Sequence, residues 1–576
     1  MKSIFFHVVI LLVFGITGLF LSLFFFNSIL HASTLVIPYS LEPFDICEKF
    51  PLVWHYFKTA YLVLTFLSWI IIGNSIYSII FKNISFKEKS KNIKKNKYTL
   101  SLTVGNNGEE EITIPEKSLY QNMLITGTTG SGKTSSAMYP FCKQLIEYEA
   151  LNPEKKLGML ILDVKGNFYK QVLEFSKNAF REDDVILIRL GGNYTYNPLD
   201  KPNLKASVLS DRLKTILLLF SPNNSDDYWL DKASQVLAEG IKICRLYNDN
   251  YVTFSEIHKL IFSKDYFSEK IADLRKIFQN AKLAEEQCFE LLSALDFFEN
   301  EFKNLDERVL SIVKSEISRI TSMFISDYTV RKTFCPSRKD ITFSGFQSCL
   351  EQGKIVVLSM NLAEYQNLAK FMAAYLKLDF QSEVLSSLSH LHNIRPSVFL
   401  CDEFHEFVTR TDAGFFAQSR EARCINIVAT QSYSSLVSTL KDSTCMRVLT
   451  QNLINKLWFR TDDSFTIEEI QKQLGKEEKE KTSYTVSENA KETNYHYLTN
   501  RFHSNSSNLS ESFNTYTQND FVYDTNFFTR ELQVFDCLAF LSDGEKIIEP
   551  CKLKMTPYFQ FNSNEGRFFN EKKFKP

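Results

Sequence analysis

The eight residues GTTGSGKT at positions 127–134 follow the apolar run Met123, Leu124, Ile125 and precede a helix-forming stretch. That context, strand then glycine-rich turn then helix, is what a phosphate-binding P-loop requires. Gly127, Gly130 and Gly132 let the backbone bend so that successive N–H groups point inward at phosphate oxygens, and the following helix adds its positive dipole end. The intervening Thr128, Thr129 and Ser131 complete the loop, and Ser135 continues it into the helix. Lys133 is placed to reach the β- and γ-phosphates. Thr134 supplies a hydroxyl for a magnesium ion, whose remaining ligands come from phosphates and water. The sequence therefore predicts ATP with Mg2+ as the first ligand.

A second chemical signal is SVFLCDEF at 397–404, an apolar strand ending in two acids. Such a strand delivers its last carboxylates to the sheet edge that also carries the P-loop. Asp402 then suits the magnesium partner, usually through a water, and Glu403 the base that orients and deprotonates the attacking water. Gln431 in IVATQS follows another strand-like run and suits a sensor of the γ-phosphate. Arg420 and Arg423, in SREARCIN, are candidate arginine fingers acting on the nucleotide of a neighbouring subunit, with a surface salt bridge as the alternative for each. Asp163 and Lys165 in LILDVKGN stand at a further strand end, where a structural turn with Gly166 explains them almost as well.

With 576 residues the chain is too long for one compact core. Its formal net charge of −1 means that any nucleic-acid contact must come from a local patch or a pore lining. The eleven cysteines include no CxxC pair, which fits free thiols in a reducing compartment and predicts no metal cage.

Residues 4–26 are almost wholly apolar without an acid, Lys or Arg, and residues 61–81 repeat the pattern. Each is long enough to cross a bilayer as a helix. A cleaved signal peptide is the alternative for the first run, but its apolar stretch exceeds a normal signal core. Glu42, Asp45, Glu48, Lys49 and Lys58 lie between the runs, whereas Lys82, Lys87, Lys89, Lys91, Lys94, Lys95 and Lys97 follow the second against Glu88 alone. Positive charge stays inside, so the N-terminus and the large C-terminal part are expected in the cytoplasm, with residues 1–97 as anchor and basic linker. The lysine cluster either rests on anionic lipid or is a solvated linker.

Beyond residue 98 strand-like and helix-like segments alternate, the signature of a parallel sheet covered by helices. Buried strands are predicted at 159–162, 185–189, 355–358, 398–401 and 425–429, with a last one at 537–541. Residues 204–334 break the alternation with helix-period runs at 272–295 and 309–324 and a capping-box spacing at Thr253 and Glu256. The fold class expected is α/β: a RecA-like P-loop core over 98–203 and 335–576, an inserted all-helical domain over 204–334, and two preceding transmembrane helices. Residues 473–520 turn polar and read as a long mobile loop or an inter-subunit element.

Two N-terminal apolar spans, GTTGSGKT, LILDVKG, a helical insertion following NPLD and WLDKA, FLCDEF and IVATQS occur in that order. Together they resemble the type IV secretion coupling proteins of the TraG/TraD kind, over nearly the whole chain. The P-loop is generic to many NTPases; the ordered set is more specific. The resemblance implies a membrane-anchored, ring-forming, usually hexameric ATPase that receives a relaxase bound to single-stranded DNA and hands it to a secretion channel. It assigns the P-loop role to residues 127–134, the acidic motif to Asp402 and Glu403, and the glutamine motif to Gln431. Asn167 stands where many relatives carry the last acid of DPKGE, which leaves that acid's role without a residue. Two rivals remain: an FtsK-like DNA translocase, disfavoured because the residues after Asp536 leave no room for a three-helix DNA-reading module, and a non-hydrolytic receptor whose nucleotide only orders the ring. An ATP-binding cassette transporter is excluded, since no LSGGQ-like signature lies between the P-loop and Asp402.

Overall fold

The computed structural model describes residues 100–163, 166–220, 227–280, 285–360, 362–389, 395–489, 494–498, 501–503 and 508–560, with Leu52, Tyr56 and residues 63–72 of the N-terminal part. The chain divides into two compact units, Met1–Thr99 and Leu100–Pro576. In the first, the 4–26 span and the basic linker lie outside the described residues, and the described part of the 61–81 span is helix. Among the described residues no helix is long and apolar enough to cross a membrane.

In the second unit the strands are β1 (Ser101–Asn106), β2 (Glu111–Pro115), β3 (Met123–Thr126), β4 (Gly158–Leu162), β5 (Val185–Ile188), β6 (Ile355–Leu358), β7 (Ser397–Cys401), β8 (Cys424–Thr430), β9 (Asn455–Phe459), β10 (Lys476–Asn489), β11 (Asn494–His496), β12 (Arg501–His503), β13 (Asn508–Phe521), β14 (Asp536–Phe540) and β15 (Cys551–Lys554). Eleven of them form one sheet in the order β2-β1-β15-β14-β9-β3-β8-β7-β4-β6-β5. From β9 to β5 neighbouring strands run parallel; β14, β15, β1 and β2 extend the sheet in antiparallel fashion. The apolar runs follow from burial on both faces: Leu124, Leu160 and Leu162 pack into one core, whereas Ile125, Met159 and Ile161, facing the other way, pack into a second.

Every described element between residues 206 and 334 is helical: α1 (Ala206–Phe220), α2 (Asp227–Tyr247), α3 (Phe254–Phe262), α4 (Lys264–Asn280), α5 (Glu285–Asp296), α6 (Glu307–Thr321) and α7 (Tyr328–Phe334), with shorter turns of helix among them. The periodic run at 272–295 is shared between α4 and α5. The Thr253 and Glu256 spacing does form a capping box: the Glu256 N–H donates to Thr253 Oγ1 at 3.3 Å and the Thr253 N–H to Glu256 Oε2 at 3.1 Å. These helices are tied to the sheet through α8 (Leu362–Ser386). Its buried Asp379 accepts from Arg212 of α1 at 2.9 Å and from the Tyr196 hydroxyl at 2.8 Å, and pairs with Lys201 at 2.7 Å. Burial pushes this carboxyl up, but the two cations more than offset it and hold it below the ordinary carboxylate range.

The polar stretch at 473–520 is not the loop expected from its composition. It holds β10 and β13, two fourteen-residue strands paired antiparallel from Lys476↔Phe521 to Asn489↔Asn508. Tyr484 and Phe513 meet across the pair with ring centroids 4.8 Å apart and planes tilted by 42°. Threonines, tyrosines and cross-strand partners supply β character, while low hydrophobicity reflects exposure on both faces.

Lys456 on β9 is 5% exposed and lies 5.7 Å from the Phe540 ring. Burial alone pushes its ammonium down to about 8 from 10.5. A lysine whose folded pKa is depressed penalises folding at pH below 8, and the penalty disappears as pH rises to the unfolded value. Lys456→Met is therefore expected to raise the melting temperature at pH 7, with a gain that shrinks between pH 8 and 10.5. An equal gain at both ends of that range would show that the ammonium is not the cause.

Candidate functional site

The P-loop leaves the end of β3 and closes over itself. Gly130 and Gly132 take φ of +80° and +101°, a region that only glycine enters without strain. A Cβ on Gly127 would lie 2.6 Å from Phe459 Cβ, so the loop can approach β9 only with glycine there. Thr128 donates its N–H and its hydroxyl to the Arg460 carbonyl at 2.9 and 3.1 Å, and Ser131 returns its hydroxyl to the Thr128 carbonyl at 2.7 Å. Thr129 is exposed at the tip, and the Ser135 hydroxyl donates to the Gly132 carbonyl at 3.2 Å. The helix begins as a wide π-turn, Thr134–Met138, before Tyr139–Glu147. Pro140 explains the widening: it has no N–H to give and its ring crowds the preceding turn.

Lys133 is 6% exposed and donates back to the carbonyls of Gly127 and Thr128, which parks its ammonium inside the loop. Thr134 Oγ1 donates to Asp402 Oδ2 at 2.8 Å. Two hard oxygens thus meet at the mouth of the loop, from elements 268 residues apart. This donor set fits a magnesium ion.

The sheet order explains the convergence. Asp402 follows β7, and its N–H donates to the Leu162 carbonyl at the end of β4 at 3.0 Å. Glu403 turns away in the left-handed region with φ of +51°, and its N–H donates to Asp402 Oδ1 at 3.0 Å. A non-glycine residue held there costs energy, and such positions concentrate at functional sites. Since β8 lies between β3 and β7, Gln431 at its end emerges between the P-loop and Glu403. Asp163 Oδ2 accepts the N–H groups of Asn167 and Phe168 at 2.9 and 3.0 Å and so ties the turn after β4. Lys165 lies outside the described residues.

Arg420 and Arg423 stand elsewhere. Both are exposed and precede β8, whereas the P-loop lies at the opposite, C-terminal edge of the parallel strands. Seven residues of strand put them about 20 Å from the P-loop edge of their own chain. Neither reaches the P-loop of its own chain from there.

Two neighbours of the site escape sequence reasoning. His405 Nδ1 lies 3.8 Å from Glu403 Oε2 and 3.3 Å from Thr430 Oγ1, joining the acid to the end of β8. Burial pushes its pKa down while Glu403 pulls it back. Phe535 donates its N–H to the Ser131 carbonyl at 3.1 Å and meets the P-loop about four hundred positions downstream of it in sequence. The FH pair after DE was at least visible as a signal for His405; nothing local marks Phe535.

Two family models match the chain: the type IV secretion-system coupling protein DNA-binding domain over residues 110–290 and the TraM recognition site of TraD and TraG over residues 396–518. The chain is a type IV secretion coupling protein. Two crystal forms of the bacterial conjugative coupling protein TrwB share its fold. The unbound monoclinic form of TrwBdeltaN70 superposes with a TM-score of 0.50 at 14% identity, covering 79% of this chain and 88% of that one. The trigonal form in complex with sulphate gives 0.50 and 14%, covering 80% and 94%. No curated protein matches the sequence. In this coupling protein the first matched segment carries the P-loop, and the second carries Asp402, Glu403 and Gln431 together with most of the ribbon of β10 and β13.

Proposed function

We propose that this coupling protein is a membrane-anchored ATPase that recruits relaxase bound to single-stranded DNA and drives the complex into a type IV secretion channel. The observation that carries the reading is the 2.8 Å contact between Thr134 and Asp402, with Lys133 in the loop and Glu403 and Gln431 at adjacent strand ends. A P-loop alone binds phosphate; a P-loop facing an acid pair and a polar strand end between them is equipped to break the γ-phosphoryl bond. Lys133 exchanges the carbonyls of Gly127 and Thr128 for phosphate oxygens, at little cost because its ammonium is already desolvated. Glu403 orients the attacking water and takes its proton, and Gln431 holds the same water or the γ-phosphate. Thr134 and Asp402 would hold a magnesium ion, which when bound would offset the negative charge on the phosphates.

Residues 4–26 and 61–81 serve as the anchor, with both the N-terminus and the large part cytoplasmic. Arg420 and Arg423 act in trans in a homo-hexameric ring, a reading supported by their place at the edge of the sheet away from their own P-loop. The test is steady-state ATPase activity of the full chain in detergent, with and without single-stranded DNA. Turnover that rises several-fold with DNA is expected. Tight ATP binding with no turnover under either condition would leave a receptor that uses nucleotide only to order its ring.

A further inference from the structure

The site described so far accounts for the phosphate end of a nucleotide and leaves the other end unassigned. The direction of the phosphate chain is fixed by the acids. Asp402, Glu403 and Gln431 stand at the ends of β7 and β8, on one side of β3, so the γ-phosphate points that way. The ribose and base must then leave on the opposite side of the P-loop, toward β9 and β14. Strand β14 runs antiparallel to β9, with Cys537 opposite Phe459, so the start of β14 lies at the same edge as the P-loop.

Phe535 is the residue immediately before that start. Its ring lies directly on Gly132: a Cβ added there would come within 2.5 Å of Phe535 Cδ1. The backbone of Phe535 is pinned at both ends, its N–H donating to Ser131 O at 3.1 Å and its carbonyl accepting from the Met555 N–H at 2.8 Å. Its φ is +71°, a conformation that a bulky residue adopts only when the surroundings impose it. Glycine or asparagine would hold the same turn with less strain, whereas the Phe535 ring packs in part on the core and leaves the rest of its surface exposed. The ring is half-buried, and the ring of Phe559, which is 50% exposed, stands 6.3 Å away at 68°. Tyr558 continues the row at 5.7 Å from Phe559 and 5.0 Å from Tyr139 on the P-loop helix. Partly exposed aromatic rings thus line the side of the loop from which a nucleoside would emerge.

We propose that Phe535, with Phe559 beside it, is the platform on which the nucleobase of the bound nucleoside triphosphate stacks. The proposal rests on the nucleotide reading given above. Stacking reads the face of a ring and not its edge, so the platform accepts ATP and GTP alike and fixes the base while Lys133 holds the phosphates. Its contribution belongs to ligands that carry a base.

The experiment compares magnesium-ATP, magnesium-GTP and magnesium-tripolyphosphate binding to the full-length protein and to Phe535→Ala and Phe535→Trp. Phe535→Ala should weaken both nucleotides by roughly 10-fold or more, the scale of one lost stacking contact, and change tripolyphosphate affinity less than twofold. Phe535→Trp should keep nucleotide affinity, and its fluorescence should be quenched by ATP but not by tripolyphosphate. Equal weakening of all three ligands would mean that Phe535 only shapes the P-loop and would overturn the proposal. Unchanged ATP affinity in Phe535→Ala would overturn it as well. If the wild-type chain bound neither tripolyphosphate nor nucleotide, the nucleotide reading itself would fall and the platform with it, an outcome distinct from the first two.

Discussion

Lys133→Ala is expected to lose ATP turnover altogether and to bind nucleotide weakly, whereas Glu403→Gln is expected to keep ATP and fail to cleave it. The difference follows from where the two groups sit. The Lys133 ammonium lies within the loop, on the carbonyls of Gly127 and Thr128, where phosphate oxygens must enter, so its removal costs ground-state binding as well as transition-state charge. Glu403 is carried one strand further away, beyond β8, and can touch only the water side of the reaction. Loss of a positioned base costs about 10²- to 10⁴-fold in rate with little change in affinity. Single-turnover hydrolysis and nucleotide binding, measured together, separate the two. Near wild-type hydrolysis by Glu403→Gln would move the base assignment to another group, with His405 at 3.8 Å the first to test. The same Lys133→Ala chain also tests the arginines. Mixed with Arg420→Ala or Arg423→Ala chains, it should restore some activity at mixed interfaces if either acts in trans, and none if neither does.

Much of the sheet was legible because its strands are buried on both faces. The runs at 159–162, 185–189, 355–358, 398–401 and 425–429 each fall within one residue of an observed strand end. Glycine and lysine spacing gave the P-loop for a related reason: the backbone geometry there excludes other residues locally. The ribbon of β10 and β13 was illegible because a strand exposed on both faces has no apolar alternation to read. Phe535 was hidden for another reason. Its importance comes from sheet order, which brings the start of β14 beside the P-loop, and sheet order is a long-range property. The arginines show the converse limit: SREARCIN lies near Gln431 in sequence, but one strand separates the two edges of the sheet.

Lys377→Met should lower stability by about 3–5 kcal/mol. Lys377 on α8 is fully buried, and its ammonium donates to the Phe407 carbonyl, to Thr409 Oγ1 at 3.2 Å and to Asp412 Oδ2. Burial pushes its pKa down, against the pull of Asp412. Gln381, one turn along the same face of α8, donates to Asp412 Oδ1 at 2.8 Å, and the Thr409 N–H donates to Asp412 Oδ2 at 2.7 Å. Removing the cation alone leaves Asp412 charged in a dry interior, which costs about 3–5 kcal/mol. Lys377→Met with Asp412→Asn removes both charges and keeps an acceptor for Gln381, so the double variant should recover more than half of that loss. Thermal melts of both variants measure it; a double variant no more stable than the single one would show that the pair contributes packing and not charge. The consequence reaches the chemistry. Residues 404–412 leave directly from Glu403, and Lys377 fastens them to α8 together with Gln381 and Lys370. Two residues along the same helix, Asp379 fastens Arg212 of the helical segment. One helix therefore grips both the strand end that carries the proposed base and the helical segment of residues 206–334, and a Lys377→Met chain that still folds should lose hydrolysis before it loses nucleotide binding.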